Sequence, residues 1–387
     1  MRILTVANQL GAWGGLERSQ LAVYRALAAR GHCIDLAYVD DGDLSDEWQE
    51  VANSMTRLAS TLPRTHAPVA TSYAVIDAAQ GVRHLQPDVI TVYRSLDLPF
   101  AAAVGRLTRA PVVLHLGLPP PSRLPFVIRR SLPRVAMTLA VSYDTAARWR
   151  PTPLPSDSVV VVHTGIDMDV YTPPPKHERA ATRRALGIDP DDVMVLFAGR
   201  ICPDKGLDVL MEAARLLARR LPGFRLVVAG GPTVGTDPAE AARYRAELEA
   251  RTGHLDVRWL GRQRDIAALI GSADVAVVPS VWPEPFPRSV IEPLACGVPV
   301  IASDVGGVGE ILVDDLQRFL VPARDPGALA ERVTDLAGWR GDDPGLATRC
   351  RSSVVDRLSL DRQVDTVEAA LASVARYRPA DPLASYG

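Results

Sequence analysis

The sequence predicts an α/β protein built from two successive parallel sheets. In each half, short runs of β-branched residues such as Val193–Ala198 and Val275–Val278 lead into a glycine- or proline-rich loop and then a helix. Uninterrupted apolar runs of this length are typical of strands that are buried on both faces of a parallel sheet. Since the strand–loop–helix order restarts near residue 193, the 387 residues are predicted to form two domains.

The composition limits the classes of function. Hydrophobic residues make up 47% and charged residues 23% of the chain, which is typical of a globular protein. A net charge of −2 argues against a dedicated nucleic-acid-binding protein. The four cysteines are scattered, which argues against a metal site or a disulfide framework. Because an apolar strand opens the sequence and no apolar run reaches membrane-spanning length, we expect a cytoplasmic protein.

A glycine-rich loop follows the first strand. Gly14 and Gly15 would let backbone amides approach a phosphate or a sugar closely. The loop lacks the GxGxxG spacing of dinucleotide-binding proteins, and a tight strand–helix turn is the structural alternative. His115 ends a later strand and is therefore predicted at the same sheet edge. A hydrogen-bonded strand-end histidine without a functional role is the alternative for His115.

Two cations follow the first strand of the second half. Arg200 and Lys205 lie in the loop after Val193–Ala198. Ligands of open α/β sheets bind outside the carboxyl ends of the strands. A guanidinium fork together with a compact ammonium group suits a diphosphate. We therefore predict a phosphate site here, with an unliganded surface pair as the alternative.

Two glutamates flank a proline-rich turn later in this half. Three prolines between 283 and 287 exclude regular structure until a helix begins near Arg288 or Ser289, and N–H groups at a helix start attract anions. Glu284 is placed to accept hydrogen bonds from sugar hydroxyls, and Glu292 could do so deeper in the crevice. A retaining glycosidase pair needs carboxyls about 5 Å apart, whereas residues eight apart on a continuous helix are separated by roughly 12 Å along its axis. The bent path leaves that alternative open, but polyol binding fits better.

The segment 117–134 mixes apolar residues with Arg123, Arg129, Arg130 and Arg134. A basic amphipathic segment can lie on a membrane surface. Because this segment is short and broken by prolines, a solvated helix face is favoured, and a peripheral membrane or acceptor contact is the alternative.

In their order and spacing, the motifs resemble those of glycosyltransferase family 4. Glu284 and Glu292, followed by Pro-Leu-Ala-Cys-Gly-Val-Pro-Val, resemble the E-x7-E motif of these retaining enzymes, and Gly199–Gly206 resembles their diphosphate loop. Gly14-Gly15, 165–167 and 304–310 also match, so the resemblance extends over nearly the whole chain. It implies the GT-B fold, in which two Rossmann-like domains face each other across a cleft.

The resemblance also implies a division of the chain. An acceptor domain is expected at 1–172, a nucleotide-sugar donor domain at 173–358, and a C-terminal helix that crosses back to the first domain at 359–387. The proline-rich connection 171–176 sets the first boundary.

The implied reaction is a retaining hexosyl transfer from a UDP- or GDP-linked sugar to a hydroxyl of a small-molecule or lipid-linked acceptor. The resemblance implies four catalytic residues: Glu284, His115, Arg200 and Lys205. It implies the following donor-binding residues: Gly14, Gly15, Arg200, Lys205, Gly261, Glu284, Phe286, Arg288, Ser289 and Glu292. No cofactor is expected, and no essential metal, because no DxD-like motif accompanies the phosphate-binding cations. A GT-B sugar-nucleotide epimerase and a non-catalytic nucleotide-sugar-binding subunit are the alternative functions.

One departure from the family pattern affects the donor site. The family's loop usually reads Glu-x-Phe-Gly, but Pro287 stands in the place of that glycine here and Arg288 follows it. Since proline has no N–H group, one donor to the sugar or phosphate is lost. We expect Arg288 to supply a charged substitute, which would alter the donor preference without abolishing activity.

Overall fold

A computed structural model describes residues 1–12, 14–61, 68–233, 235–253, 255–263 and 265–375. The chain divides into two compact units. The first comprises Met1–His163 together with the residues from Gln363 onward, and the second comprises Thr164–Arg362. Each unit contains one sheet in which all the recorded strand pairings are parallel, so the α/β prediction is confirmed.

In the described part of the first unit, the sheet has seven strands in the order β3-β2-β1-β4-β5-β6-β7. The strands are β1 (Arg2–Gln9), β2 (Cys33–Asp40), β3 (Ser54–Arg57), β4 (Val89–Val92), β5 (Val112–Leu116), β6 (Met137–Ala140) and β7 (Val159–Val161). The connecting helices are α1 (Gly15–Ala29), α2 (Ser45–Val51), α3 (Pro68–Val82), α4 (Leu98–Thr108), α5 (Phe126–Ser131) and α6 (Tyr143–Trp149).

Among the described residues of the second unit, the sheet has six strands in the order β10-β9-β8-β11-β12-β13. The strands are β8 (Val193–Ala198), β9 (Phe224–Ala229), β10 (Val257–Gly261), β11 (Val275–Val278), β12 (Val300–Ser303) and β13 (Leu320–Val321). The helices are α7 (Lys176–Ala185), α8 (Leu207–Arg220), α9 (Pro238–Thr252), α10 (Ile266–Ser272), α11 (Arg288–Ala295), α12 (Pro326–Asp335), α13 (Trp339–Asp342) and α14 (Leu346–Val355). The final helix, α15 (Leu360–Val374), enters the first unit at Gln363.

The strand order puts β8 and β11 side by side at the point where the second sheet reverses its direction of growth. All four residues of β11 are buried, as expected of a central strand with helices on both faces. Ligand sites of open α/β sheets lie outside the carboxyl ends of strands at such a switch point. The loops after β8 and β11 are those that carry the predicted phosphate and sugar residues.

The division between the units differs from the sequence-based one, which placed the first boundary at 172/173. Residues 164–172 belong to the second unit because its helices hold them. Arg351 donates hydrogen bonds to the carbonyls of Tyr171 and Met168, at 2.8 Å and 3.2 Å. Ile166 N donates to Leu358 O at 3.0 Å. At the other end, residues 359–362 also group with the second unit, and 376–387 lie outside the described residues.

Two elements of the first unit lie where the sequence showed no clear periodicity. Helix α2 and strand β3 occupy 45–57, and β3 forms the edge of the sheet beside β2. Only Trp48 and Val51 of the seven residues in α2 are buried, and two buried residues are too few to give a recognisable hydrophobic periodicity. Among the described residues, every helix is too short or too polar to span a bilayer.

Candidate functional site

The loop after β8 is attached to the end of β11. Its single turn of 3-10 helix, Pro203–Lys205, ends at Gly206, which has φ +66°. A Cβ atom on Gly206 would stand 1.9 Å from the carbonyl oxygen of Pro279, so only glycine fits here. Val281 N also donates to Asp204 O at 3.0 Å. These contacts hold the loop that contains Lys205 against the residues that follow β11.

Lys205 and Glu284, both predicted as site residues, form an ion pair. Lys205 Nζ lies 2.5 Å from Glu284 Oε1, and Ser280 Oγ donates to the same oxygen at 2.6 Å. Glu284 is only 4% exposed. An ion pair withdrawn from water to this extent adds little net stability, because desolvation offsets much of the attraction. Pairs of this kind are therefore candidates for a role in ligand binding.

A third loop meets the same glutamate from the end of β12. Gly307 N donates to Glu284 O at 2.7 Å. Gly306 has φ +60°, and a Cβ atom there would stand 2.1 Å from Glu284 O. The loops after β8, β11 and β12 thus converge on Glu284. Ser280 was missed by sequence reasoning, although its place directly after β11 was the available signal.

Arg200 stands apart from the ion pair. It is exposed, and it forms no ion pair with any residue that the structure describes. Its neighbours are nevertheless fixed: Ile201 N donates to Gly231 O at 2.8 Å, and Gly230 packs so closely that a Cβ atom would lie 1.8 Å from Gly199 O. The backbone on both sides of Arg200 is therefore held against the end of β9, while its guanidinium faces solvent.

The start of α11 contains a second charged cluster. Arg288 Nε donates to Glu292 Oε1 at 2.9 Å, one turn along the helix. The Tyr171 hydroxyl donates to Glu292 and accepts from Arg288. Burial and the Glu292 carboxylate raise the pKa of Tyr171. Burial opposes the charge on Arg288, but Glu292 and Tyr171 outweigh it, so the pKa of Arg288 is raised.

This cluster bears on the substitution at Pro287. The proline precedes an eight-residue helix, whose first N–H groups have no acceptor within the helix. Arg288 does not point freely into solvent, because Glu292 and Tyr171 hold its guanidinium. Beside it, Phe286 is buried and Ser289 is half-buried.

Gly261 lies at the carboxyl end of β10, at the edge of the second sheet. It has φ +66° at an irregularity in the β9–β10 register, where its carbonyl accepts from Gly230 N at 2.8 Å. The position is therefore connected to the loop that flanks Arg200.

The first unit holds the remaining predicted residues at the carboxyl edge of its own sheet. Gly14 and Gly15 lead into α1, and Gly117, just after β5, packs so tightly that a Cβ atom would stand 2.5 Å from Leu16 Cδ1. The ends of β1 and β5 are thus brought together. Gly14 has an extended backbone (φ −171°) that any residue can adopt, so its backbone angle does not explain the glycine.

His115 is enclosed at this edge. It is 7% exposed and stacks on Tyr93, with ring centroids 4.0 Å apart and an interplanar angle of 9°. Its Nε2 has no hydrogen-bond partner among the described residues. Burial lowers the pKa of His115 to about 3, so the imidazole is neutral at physiological pH. A buried polar atom without a partner is costly and indicates a position for a ligand group.

Two family models match the chain. The model described as Glycosyl transferases group 1 matches residues 178–339, and the model described as Glycosyltransferase Family 4 matches residues 13–170. Together they account for most of the chain. The D-inositol 3-phosphate glycosyltransferase of Mycobacterium bovis is 38% identical over 189 residues, which cover 47% of this chain. The match spans only 37% of the mycobacterial protein's length.

Solved structures share the fold at low sequence identity. HepE of Anabaena, crystallised with UDP, superposes with a TM-score of 0.82 at 21% identity, covering 96% of this chain and 100% of that one. A glycosyltransferase from Rickettsia africae gives a TM-score of 0.81 at 19% identity, covering 96% and 98%. The predicted GT-B class is thereby confirmed. The two halves match, in order, two glycosyltransferase family models, and the predicted resemblance to the family 4 glycosyltransferases is therefore confirmed.

Proposed function

We propose that the protein transfers a sugar from a nucleoside-diphosphate sugar to a hydroxyl group of an acceptor. The observation that carries this proposal is the convergence of three loops on the buried Lys205–Glu284 pair. It combines a cation suited to a phosphate with a carboxylate suited to sugar hydroxyls at one switch point of a parallel sheet.

Lys205 and Arg200 are proposed to bind the donor diphosphate. Without a donor, Glu284 satisfies Lys205, so an arriving phosphate competes with this carboxylate. Charge develops on the leaving phosphate in the transition state, and fixed cations lower the barrier most when they already point at that position. The N–H groups at the start of α11 add positive potential there.

Glu284 and His115 are proposed to act on the sugar and the acceptor. Glu284 Oε1 already accepts from Lys205 and Ser280, which favours a binding role over that of a nucleophile. The neutral His115 offers Nε2 to a hydroxyl. A retaining transfer that uses no carboxylate nucleophile requires attack on the same face as the departing phosphate. We propose this route, in which a phosphate oxygen takes the acceptor's proton.

The nucleoside end of the donor is assigned to the cluster at α11. We propose that Glu292, held by Arg288 and Tyr171, accepts from the ribose hydroxyls, while Gly261 borders the base. Phe286 and Ser289 would line the path between ribose and sugar, and Gly14 and Gly15 are proposed as further donor-binding residues. Arg288 then acts by orienting Glu292, and its contribution to donor preference is indirect.

A UDP-linked sugar is the first donor to test, ahead of GDP-linked sugars. Support comes from HepE, whose crystal structures include complexes with UDP and with UDP-glucose. The acceptor is proposed to carry a free hydroxyl on a small molecule or a lipid-linked sugar. We also propose that Lys205 and Arg200 neutralise the diphosphate without an essential metal.

Calorimetric titration with UDP, GDP, ADP and TDP tests the donor site. Lys205→Ala should weaken binding of the preferred nucleotide by about 1.5 to 3 kcal/mol, which lowers the affinity roughly tenfold to more than a hundredfold. Arg200→Ala removes an exposed side chain that forms no ion pair with a described residue, so it should weaken nucleotide binding without loss of stability. Lys176→Ala, at the only other lysine, is the matched control, because Lys176 is exposed at the start of α7. If no nucleotide binds, or if all three variants bind equally, the diphosphate assignment is wrong.

Turnover separates the proposed transfer from its alternatives. Incubation of the matching nucleotide sugar with an acceptor panel should give a glycoside with the donor's anomeric configuration, detected by NMR, and the rate should persist in EDTA. Conversion of the donor without an acceptor would indicate an epimerase. Tight binding without turnover would indicate a binding subunit. A product with inverted anomeric configuration would overturn the retaining mechanism, and loss of activity in EDTA would overturn the metal independence.

A further inference from the structure

One face of the first unit contains an apolar groove whose lining includes none of the predicted site residues. Helices α3, α4 and α5 enclose a volume of about 380 Å³. Its apolar lining includes Ile76, Ala79, Pro99, Ala103, Leu107 and Val127. Phe126 stands at the groove and is 72% exposed, while Ile76 and Leu107 are 47% and 46% exposed. Single exposed apolar residues are common on proteins, but several around one groove indicate an interaction surface.

The charged residues that line the groove are all arginines. Residues 98–134 contain six arginines and no aspartate or glutamate, although the whole chain carries a net charge of −2. Arg106, Arg130 and Arg134 line the groove, and all three are exposed. None of them forms an ion pair with a residue that the structure describes. The described side chains of α3 add one exposed acid, Asp77.

Helix α5 holds the exposed aromatic ring in a fixed position. Ile128 and Leu132 are fully buried and anchor the helix, so Phe126 projects from a rigid base. The guanidinium carbon of Arg130 lies 5.8 Å from the centroid of the Phe126 ring. An apolar group thus stands beside a cation with a long aliphatic stem. Arginine can keep its charge in a polar layer while its stem and an adjacent ring enter an apolar one.

We propose that this face binds the surface of a bilayer that contains anionic phospholipids. Phe126 and Leu107 would enter the boundary between headgroups and acyl chains, and Arg106, Arg130 and Arg134 would contact lipid phosphates. The one-sided charge favours an anionic partner, and the apolar centre favours one with hydrocarbon beneath its charges, which a bilayer offers and a nucleic acid does not. The proposal does not rest on the glycosyltransferase activity, because it uses none of the donor residues.

Flotation of the full chain with vesicles tests the proposal. The protein should float with vesicles of phosphatidylcholine mixed with phosphatidylglycerol and remain at the bottom with phosphatidylcholine alone. Each arginine near an anionic surface contributes about fivefold in affinity. Arg130→Gln combined with Arg134→Gln should therefore weaken binding by about 25-fold. Phe126→Ser should also weaken it, and raised salt should act mainly on the arginine contribution.

Matched variants of the second unit serve as controls. Arg184→Gln combined with Arg220→Gln removes two exposed arginines, and Val170→Ser removes an apolar side chain that is 55% exposed. Both should bind the mixed vesicles like the wild type, and thermal melting should show that all variants fold. Equal flotation with both vesicle types, absence of flotation, or equal losses in groove and control variants would overturn the proposal. Normal melting without flotation would point to a protein partner for the groove.

Discussion

At the scale of single residues, the candidate site depends on contacts between side chains that are far apart in the sequence. Lys205 and Glu284 were predicted from their loops, and the structure places them in contact. Their pairing could not be predicted, because the two loops meet only through the neighbouring positions of β8 and β11. The hydrogen bonds that Tyr171 makes with Arg288 and Glu292 went unpredicted for the same reason, since the contact is distant in sequence.

The neutral His115 makes a prediction about acid stability. Its pKa in the folded protein is about 3, whereas an unfolded chain has a value near 6.5. Between these values the unfolded chain binds a proton that the folded one does not, so the free energy of unfolding falls as the pH falls. From about pH 6.5 to about pH 5, protonation of His115 in the unfolded chain should lower the free energy of unfolding by about 2 kcal/mol.

His115→Phe isolates this contribution, because the new ring can stack on Tyr93 but cannot bind a proton. Urea denaturation at a series of pH values should show a shallower acid loss for this variant than for the wild type. His84→Gln, at an exposed histidine, is the control and should follow the wild type. Parallel pH profiles for His115→Phe and the wild type would show that His115 titrates normally in the folded state.

At the scale of elements, the central strands and helices were predictable and the peripheral ones were not. Strand β11 and helix α11 follow from an uninterrupted apolar run and from the prolines between them. Helix α2 and strand β3 were missed, because an edge strand is half-exposed and a two-turn helix buries few residues. The glycine loop after β12 was recognised from its composition, but its attachment to Glu284 required the structure.

That attachment predicts the effect of one added methyl group. Gly306→Ala places a Cβ atom 2.1 Å from Glu284 O at a φ of +60°. The backbone conformation alone costs an alanine about 1 to 2 kcal/mol, and the contact forces the Glu284 loop to move. We expect reduced stability and weaker nucleotide binding, measured by thermal melting and calorimetry.

Gly341→Ala is the matched control for this substitution. A Cβ atom on Gly341, within α13, meets no atom within 4 Å, and the backbone angle is ordinary. This variant should bind nucleotide normally and melt at or above the wild-type temperature. If Gly306→Ala behaves in the same way, the β12 loop does not constrain Glu284.

At the scale of the whole molecule, the order of motifs along the chain predicted the family and the GT-B class. The boundaries between the units were less predictable. The prediction was based on the proline-rich connection at 171–176, whereas the contacts of 164–172 with the second unit are visible only in the structure. The amino-acid composition of a connecting segment indicates where the chain is stiff. It does not indicate which unit holds the residues before it.

The last helix makes a prediction about the first unit. Val364, Val367 and Leu371 of α15 are buried, and Glu368 pairs with Arg30 and His32 of the same unit. Leu371→Ala should destabilise this unit by about 2 to 5 kcal/mol. Hydrogen exchange followed by mass spectrometry should show faster exchange in β1, β4 and β5, with β8 and β11 little changed.

Ser373→Ala, at an exposed position on the same helix, should leave the exchange of both sheets unchanged. Faster exchange confined to the second unit after Leu371→Ala would contradict the assignment of α15 to the first unit. Equal acceleration in both units would show that they unfold as one cooperative body.

The return of α15 to the first unit has a consequence for synthesis on the ribosome. The first unit is interrupted by the whole of the second, so its opening strands emerge long before the helix that completes it. Domains usually fold in the order of their synthesis. Here all residues of the second unit are synthesised before the first unit is complete. Until then, the apolar surface that α15 covers in the first unit remains exposed. Chaperone contact during translation is therefore expected to concentrate on the first unit until α15 has left the exit tunnel.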